Sequence, residues 1–359
     1  MQVYLAGNTS TGGLGAHLVT ELFLKEQGGP RLFSYHAVSN DVFYSRSIFE
    51  VYMGNRVDLF LDSGAYSAWT QGVPIDIQKY IEFIKQHQDM LGMYANLDVI
   101  GEGGKAPSRD TAEKTLQNQR IMEAAGLDPM PCFHFGEPME YLQYYVDNYE
   151  YLALGGLAAL TTDKIRPFLD NCVSNYICDA DGMPKIKVHG FAVTSHKLMM
   201  CYPWYSVDST SWIMTSRMGS IFVPRSRGGK WIYDENSWKI AISNRSPGTK
   251  EAGKHFYTMN GMEKEIILHY ITEKGYSLGK SRFEKVAQDH ELADNEKWAE
   301  KRPKEKTKKR LMEVIEEVGL CNTYQLRDEL NAIYFMDLQA ALPAWPWAFK
   351  PESGGGFLI

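Results

Sequence analysis

Short apolar runs alternate with stretches of helical periodicity through the first two thirds of the chain. The runs fall at residues 3–6, 59–61, 93–97, 130–135, 151–154, 186–191, 204–207 and 220–223, and residues 31–36 (RLFSYH) form a further candidate. Between them lie amphipathic segments. Asp76 is placed to cap a helix whose Ile77, Tyr80, Ile81 and Ile84 share one face. Asp110 with Glu113 three residues on has the form of a capping box, and Gly126 is a natural stop. Residues 140–149 form another short helical pattern. Short buried strands alternating with helices predict a parallel sheet, and about eight runs predict an α/β fold of the (β/α)8 TIM type.

Beyond about residue 235 the pattern changes. Residues 262–274 predict an amphipathic helix stopped at Gly275, and Leu311, Val314, Ile315 and Val318 line one face of another, stopped at Gly319. The organisation expected is therefore a barrel over residues 1–235 and a mostly helical C-terminal extension over 236–359, packed on the barrel. The basic run KRPKEKTKKR at 301–310 reads as a solvated helix start or as a patch for phosphates. The Pro-, Trp- and Gly-rich end of the chain reads as an irregular tail.

Composition narrows the class. With 359 residues, 44% of them apolar, a large core is available, and no run approaches the roughly 20 apolar residues of a membrane span. The first residues, MQVYLAGNTS, lack the basic start and long apolar stretch of a signal peptide and read as a strand entering a Gly/Ser/Thr loop. That loop, GNTSTGGLG, lacks the spacing of a dinucleotide or phosphate-binding fingerprint. The five cysteines are scattered and form no CxxC pair, which argues against a disulfide framework or a cysteine zinc site and for a reducing cytoplasm. A net charge of −6 argues against a generally basic surface, while leaving room for a local basic patch.

The polar residues at the ends of the apolar runs carry the chemistry. Run 59–61 enters Asp62-Ser63-Gly64-Ala65-Tyr66, and run 93–97 enters Asp98. Run 130–135 contains His134, run 151–154 enters Gly155-Gly156-Leu157, run 186–191 holds His189-Gly190, and run 204–207 enters Asp208. In a barrel the C-terminal strand ends share one mouth, so three aspartates and two histidines distant in sequence are candidates for one pocket. Taken singly, each such Asp also serves as a helix cap and each His as a hydrogen-bonded core residue.

In their order and spacing these segments resemble the queuine/archaeosine tRNA-guanine transglycosylases over about residues 55–225. LDSGAYSAW resembles the DSGG[FY]Q motif of that family, LALGGLA its GGLAVGE segment, and VHGFA its MGVG turn; NLDVIG and YSVDSTSW stand where the family places a base-reading Asp and its nucleophilic Asp. The whole is most similar to the DpdA group of phage and bacterial DNA-guanine transglycosylases, which insert 7-deazaguanines into DNA. The chain departs from the tRNA enzymes in having no CxCxxC…H zinc site. It also lacks their Pro-Thr-Arg after the nucleophile, where Arg217 is the candidate substitute, and FHFG stands where they carry a base-pocket glutamine, with His134 as the replacement.

The resemblance implies an exchange of guanine in DNA for a free 7-deazaguanine such as 7-cyano-7-deazaguanine, in the cytoplasm of a bacterial or phage-infected cell, without cofactor or metal. Asp208 would then stabilise or trap the oxocarbenium-like sugar, and Asp62 would move the protons. Asp98, Ser63 and Gly64 would meet the base edge, with backbone groups of Gly155, Gly156, Leu157 and Gly190 beside it. Tyr66 and His189 would stack on its two faces. Arg225, Arg227 and Lys230 in PRSRGGK, together with Arg217, are candidate phosphate contacts for a flipped nucleotide. The aromatic cluster Tyr202, Trp204, Tyr205 and Trp212 reads first as barrel wall. Other classes fit the same residues: the same exchange on tRNA, a metal-dependent hydrolase using His134, His189, His196 and Asp208, or a non-catalytic nucleic-acid-binding barrel. The negative net charge leaves room for a partner protein that assists DNA binding.

Overall fold

The computed structural model describes residues 1–7, 14–41, 45–54, 58–101, 107–157, 160–193, 195–245, 252–305 and 307–350. The chain divides into two compact units, Met1–Ser211 with Phe335–Ile359, and Trp212–Tyr334. Most of the Gly-rich loop near the N-terminus, Ala158 of the GGLA segment, Lys306 of the basic run and the end of the tail lie outside the described residues.

The first unit is built from eight short strands: β1 (Gln2–Ala6), β2 (Arg31–Ser34), β3 (Leu59–Asp62), β4 (Leu91–Tyr94), β5 (Cys132–His134), β6 (Tyr151–Gly155), β7 (Lys187–Gly190) and β8 (Ser206–Ser209). Helices α1 (Leu14–Glu26), α2 (Tyr35–Ser39), α3 (Ser45–Glu50), α4 (Ala65–Gln71), α5 (Ile77–His87), α6 (Arg109–Ala124), α7 (Met139–Asn148), α8 (Thr162–Cys172) and α9 (His196–Cys201) fill the connections. The strands form one sheet in the order β4-β3-β2-β1-β8-β7-β6-β5, parallel throughout. Its edge strands β4 and β5 are not paired; among the described residues a parallel bridge, Ala95–Met130, touches just past β4, so the sheet curls as a half-barrel and is not the closed barrel expected. The fold is (β/α)8-like, an eight-stranded parallel sheet wrapped by helices.

Alternation along each strand explains both the apolar runs and the position of the polar ends. Phe60 joins Tyr4, Ala6, Leu32, Cys132 and Ala153 in a core on the concave face. Leu59 and Leu61 point the other way, into a layer with Tyr80, Ile81 and Ile84 of α5. Both faces are therefore apolar, as a parallel sheet covered by helices requires. The same two-residue step carries the inner phase from Phe60 to Asp62, from Cys132 to His134, and from Ser206 to Asp208. Each of these three strands thus carries, at or next to its end, a polar side chain aimed into the space its apolar residues fill lower down. Glu21 and Arg31, both fully buried, form an ion pair at 2.8 Å, and the Tyr52 hydroxyl donates to Glu21 at 2.7 Å. Arg31 also donates to the carbonyls of Leu5 and Gly7, tying α1 to the β1–β2 pair.

Several expectations hold. Asp76 caps α5, accepting from the amides of Gln78 and Lys79. Gly126 ends its helix at φ 81°. Trp204 and Tyr202 are buried, as wall residues should be, Tyr205 is half-buried, and Trp212, also buried, belongs to the second unit. Others need correction. The eighth strand of the sheet is β2, the RLFSYH candidate, whereas Ser220–Val223 belongs to the second unit. The capping box of α6 is made by Ser108 and Thr111, two residues upstream of the expected pair; a Ser–Thr reciprocal pair satisfies the first-turn amides as well as Asp–Glu does.

The domain boundary also moves: the first unit ends at Ser211 and regains residues from Phe335 onward, so the division at 235 does not follow the contacts. Nor is the second unit mostly helical. It holds α10 (Ser211–Arg217), an antiparallel pair of β9 (Ser220–Val223) with β12 (Trp238–Ala241), and a hairpin of β10 (Arg225–Arg227) with β11 (Lys230–Ile232). After α11 (Gly261–Glu273) comes a three-stranded sheet of β13 (Lys280–Val286), β14 (Glu296–Trp298) and a central β15 (Arg310–Glu317), and then α12 (Tyr324–Ala341), whose residues up to Tyr334 belong to this unit. Residues 311–318 fail as a helix because the apparent stripe buries nothing consistently. Val318 is 63% exposed, Met312, Glu313 and Val314 are buried in a row as no helical stripe would leave them, and β-branched residues favour the strand that pairs on both sides. Residues 262–274 do form α11, capped by Asn260 and Glu263.

Candidate active site

Asp62, Asp98, His134, His189 and Asp208 come together at the C-terminal ends of β3, β4, β5, β7 and β8, within the first unit. They sort into two hydrogen-bonded groups.

The first group follows β3, β4 and β5. The Ser63 hydroxyl donates to Asp98 Oδ1 at 2.8 Å, and His134 Nε2 lies 3.0 Å from Asp98 Oδ2. On the other side of the ring, His134 Nδ1 is 3.2 Å from Glu137 Oε1, while the His134 amide donates to Glu137 Oε2 at 3.0 Å. His134 and Glu137 are buried. Burial alone would discharge the imidazole, but the hydrogen bonds and charges of Asp98 and Glu137 outweigh it and raise the pKa to about 10. Burial would raise the Asp98 pKa, yet the bond and charge of His134 and the bond from Ser63 bring it below the usual carboxylate range. At neutral pH this is an imidazolium between two carboxylates.

Asp62 lies beside this group. Its Oδ2 accepts the Gly64 amide at 3.0 Å. Its pKa is raised to about 7, first by burial, then by the negative charges of Asp98 and Asp208, against the bonds from Gly64 and Ser63. Gly64 sits at φ 75°, and a Cβ there would lie 2.1 Å from Ser34 Oγ and 2.7 Å from His36 Cβ. Glycine is therefore required to bring the turn after Asp62 against β2.

The second group lies on β7 and β8, with Tyr151 at the start of β6. Asp208 is 6% exposed and its Oδ1 accepts the amide of Ala192 at 2.7 Å. Ala192 is held at φ 55°, a left-handed conformation unusual for a residue with a Cβ, so the turn after β7 is strained to aim this amide. His189 Nε2 is 3.4 Å from the same oxygen, at ion-pair distance without hydrogen-bond geometry. His189 Nδ1 is 2.5 Å from Ser206 Oγ, which is 2.5 Å from the Tyr151 hydroxyl. Burial lowers the His189 pKa, and Asp208 only partly opposes it, so this ring is neutral.

The placement of the remaining candidates is mixed. Gly155 packs flat on His134: a Cβ there would lie 2.9 Å from its Cδ2. Gly190 is closed in by Val193 and Trp204, and Leu157 is buried, whereas Gly156 is exposed. Tyr66 is 52% exposed and its ring lies 5.9 Å from that of Trp69, so it is not a core aromatic. His189 corrects the expectation of a stacking face. It is fully buried, with the rings of Phe191, Phe60 and Tyr4 packed edge-on at 4.7, 4.8 and 6.1 Å. Its available role is to support Asp208. Beside Asp98 opens a cleft of about 380 Å³, walled by Trp69, Val73, Ile75, Leu97 and Asn118. That combination of apolar walls and one ionised carboxylate suits a flat polar heterocycle.

Glu137, Ser206, Tyr151 and Ala192 were not singled out in the sequence. Glu137 stands three residues after His134, and Ser206 two before Asp208 on the same strand face, so spacing carried a signal for both. Ala192 carried none, because its φ is imposed by the fold. Arg217, Arg225, Arg227 and Lys230 all belong to the second unit. Arg225 lies over the Trp238 ring at 4.6 Å, and Arg227 pairs with Glu235. His134, His189, His196 and Asp208 do not assemble as metal ligands; among the described residues no three His, Cys, Asp or Glu side chains are arranged to hold a metal ion. Among these residues, too, no helix is long and apolar enough to cross a membrane. Comparisons with family models, characterised proteins and solved structures give no match to this chain.

Proposed function

We propose that this protein is a base-exchanging transglycosylase that replaces guanine in DNA with a 7-deazaguanine, on a TIM-type barrel whose seam lies between β4 and β5. The observation that carries this reading is the division of labour among three neighbouring aspartates. Asp98 is held ionised, Asp62 is held near pKa 7, and Asp208 is fixed through one oxygen.

Each state suits one task. Asp208, with Oδ1 committed to the Ala192 amide, keeps Oδ2 for C1′ of the nucleotide, where an oxocarbenium-like centre needs a carboxylate beneath it. Asp62 is part protonated at neutrality. It gives a proton to the departing guanine and takes one from the incoming base, since a group with pKa near the working pH serves both directions. Asp98 offers carboxylate lone pairs left over from Ser63 and His134 to the N–H donors of a guanine-like edge in the adjoining cleft. Tyr66, exposed on α4, is available to stack. His189, neutral and anchored by Ser206, positions Asp208.

The test is exchange itself. The protein is incubated with guanine-containing DNA and, in parallel, tRNA, each with 7-cyano-7-deazaguanine, and nucleosides are identified by mass spectrometry. Incorporation into DNA that falls at least about 10³-fold in Asp208→Ala supports the reading. Incorporation only into tRNA replaces the polymer and keeps the chemistry. No incorporation into either by folded protein overturns the proposal.

A further inference from the structure

His189 holds a ring nitrogen that the base-exchange reading leaves without a task. The residue is fully buried, and its Nε2 makes no hydrogen bond, although it lies 3.4 Å from Asp208 Oδ1. Buried polar atoms are seldom left unpaired, so this one calls for a physical reason. Tyr4, Phe60 and Phe191 enclose the ring edge-on, which leaves Asp208 as the polar group beside Nε2.

The hydrogen bonds on the other side of the ring decide which nitrogen carries its proton. His189 Nδ1 is 2.5 Å from Ser206 Oγ, and Ser206 Oγ is 2.5 Å from the Tyr151 hydroxyl. Burial raises the Tyr151 pKa, so this hydroxyl keeps its proton, and among the described residues Ser206 is its one acceptor. Each hydroxyl has a single proton to give. With Tyr151 donating to Ser206, Ser206 is free to donate to Nδ1, and both hydroxyl protons are received. The reverse direction would leave the Tyr151 proton without an acceptor. It would also turn the bare lone pair of Nε2 toward an anionic oxygen. The chain therefore runs from Tyr151 through Ser206 to Nδ1, and the neutral ring carries its hydrogen on Nε2. Asp208 Oδ1 then has two donors beside it: the Ala192 amide, bonded at 2.7 Å, and the Nε2–H, close but not aligned.

We propose that Tyr151, Ser206 and His189 form a donor chain that governs how long the sugar stays bonded to Asp208. The role rests on the base-exchange reading and deepens it. In the first step Asp208 Oδ2 bonds to C1′ while the bond from C1′ to guanine breaks; guanine leaves with that electron pair and takes the Asp62 proton. In the second step Asp62 takes the ring N–H proton of the incoming base. The freed nitrogen pair bonds to C1′, and the C1′–Oδ2 pair returns to Asp208. Asp208 is thus an anion before and after, and a neutral ester between. A donor steadies the anion more than the ester, since hydrogen bonds to charged acceptors are roughly twice as strong. The Nε2–H beside Oδ1 therefore favours release of the sugar over its accumulation on the enzyme. His189 acts through Asp208 and is a positioning residue, as are Ser206 and Tyr151 behind it.

The experiment uses the full-length protein with guanine-containing DNA and 7-cyano-7-deazaguanine. Covalent adduct is measured on denaturing gels and exchange by nucleoside mass spectrometry. His189→Phe keeps a ring without a donor, His189→Gln returns an amide N–H near the position of Nε2, and Tyr151→Phe removes a hydroxyl alone. His189→Phe raises the steady-state adduct and slows release of the sugar, each about tenfold. His189→Gln brings both to within about threefold of the wild type, and Tyr151→Phe falls between. A merely structural role would slow formation as much as release, leave less adduct, and gain nothing from Gln. The tautomer is read separately, with or without exchange, by nitrogen NMR of histidine-labelled wild type, where Nε2 carries the hydrogen. A wild type that exchanges bases but carries the hydrogen on Nδ1, or folded variants whose adduct does not rise, overturns the donor chain alone. A wild type that forms no adduct and exchanges no base into DNA or tRNA overturns the base-exchange reading, and this role with it.

Discussion

On each side of the strand-end cluster a buried histidine faces an aspartate, yet the two rings are held in opposite charge states. His134, between Asp98 and Glu137, has its pKa raised to about 10; His189, beside Asp208, has its own lowered. Burial is the same for both and cannot explain the contrast. The difference lies in the partners. His134 has a carboxylate within hydrogen-bonding range of each nitrogen, at 3.0 and 3.2 Å, whereas His189 has a hydroxyl on Nδ1 and a carboxylate at 3.4 Å. Two close anions repay the desolvation of an imidazolium, and one distant anion does not. The charged side fixes Asp98 as an acceptor, and the neutral side places no cation beside Asp208.

The most disruptive way to probe this contrast is to remove one anion. Glu137→Gln leaves a buried imidazolium short of a counter-charge, and we expect a loss of about 3–5 kcal/mol in urea unfolding. The His134 resonance, followed by NMR, shifts to a lower pKa. If His134 of the wild type titrates near 6.5, the charged assignment is wrong.

Smaller effects follow from pH, and their signs separate the two sides. His134 has a raised folded pKa, so its contribution is fully present below the unfolded value near 6.5 and is lost as pH rises through about 10. His189 has a lowered pKa: the unfolded chain takes up its proton first, so stability is lost as pH falls below about 6.5. Asp62 also favours protons in the folded state, and costs stability progressively as pH rises from about 4 to about 7. Melting temperatures across pH 4–10 should therefore show an alkaline loss reduced in His134→Gln, an acid loss reduced in His189→Gln, and a gain for Asp62→Asn that grows from pH 4 to pH 8. An acid loss unaffected by His189→Gln would break the comparison.

The smallest change is Ser206→Ala. It removes a hydroxyl shared by His189 and Tyr151, and we expect about 1–2 kcal/mol of destabilisation, well below that of Glu137→Gln. Exchange activity should fall more steeply than stability, because Nδ1 loses the contact that fixes the ring beside Asp208. Equal losses from the two variants would mean that partner charge is not what distinguishes the sides.

The sequence alone determined the strand positions and the inward aspartates. A strand buried on both faces must be apolar at every position until it ends, so the first Asp after LFL or YSV marks the end and inherits the inner phase, whereas β4 ends at Tyr94 and Asp98 reaches the site from the loop beyond it. Local signals of caps and stops were legible for the same reason, as at Asp76 and Gly126, since they depend only on neighbours in the chain. What tertiary structure decided was pairing and charge. Ser220–Val223 is as apolar as the sheet strands, and only its antiparallel partner assigns it elsewhere. Residues 311–318 fit a helical stripe until β13 and β14 supply hydrogen bonds on both edges. Nothing local distinguishes His134 from His189, because a pKa is set by which groups the fold brings within about 4 Å. The strained amide of Ala192 and the chain from Tyr151 through Ser206 to His189 exist only in three dimensions, for they depend on close approach of residues far apart along the chain.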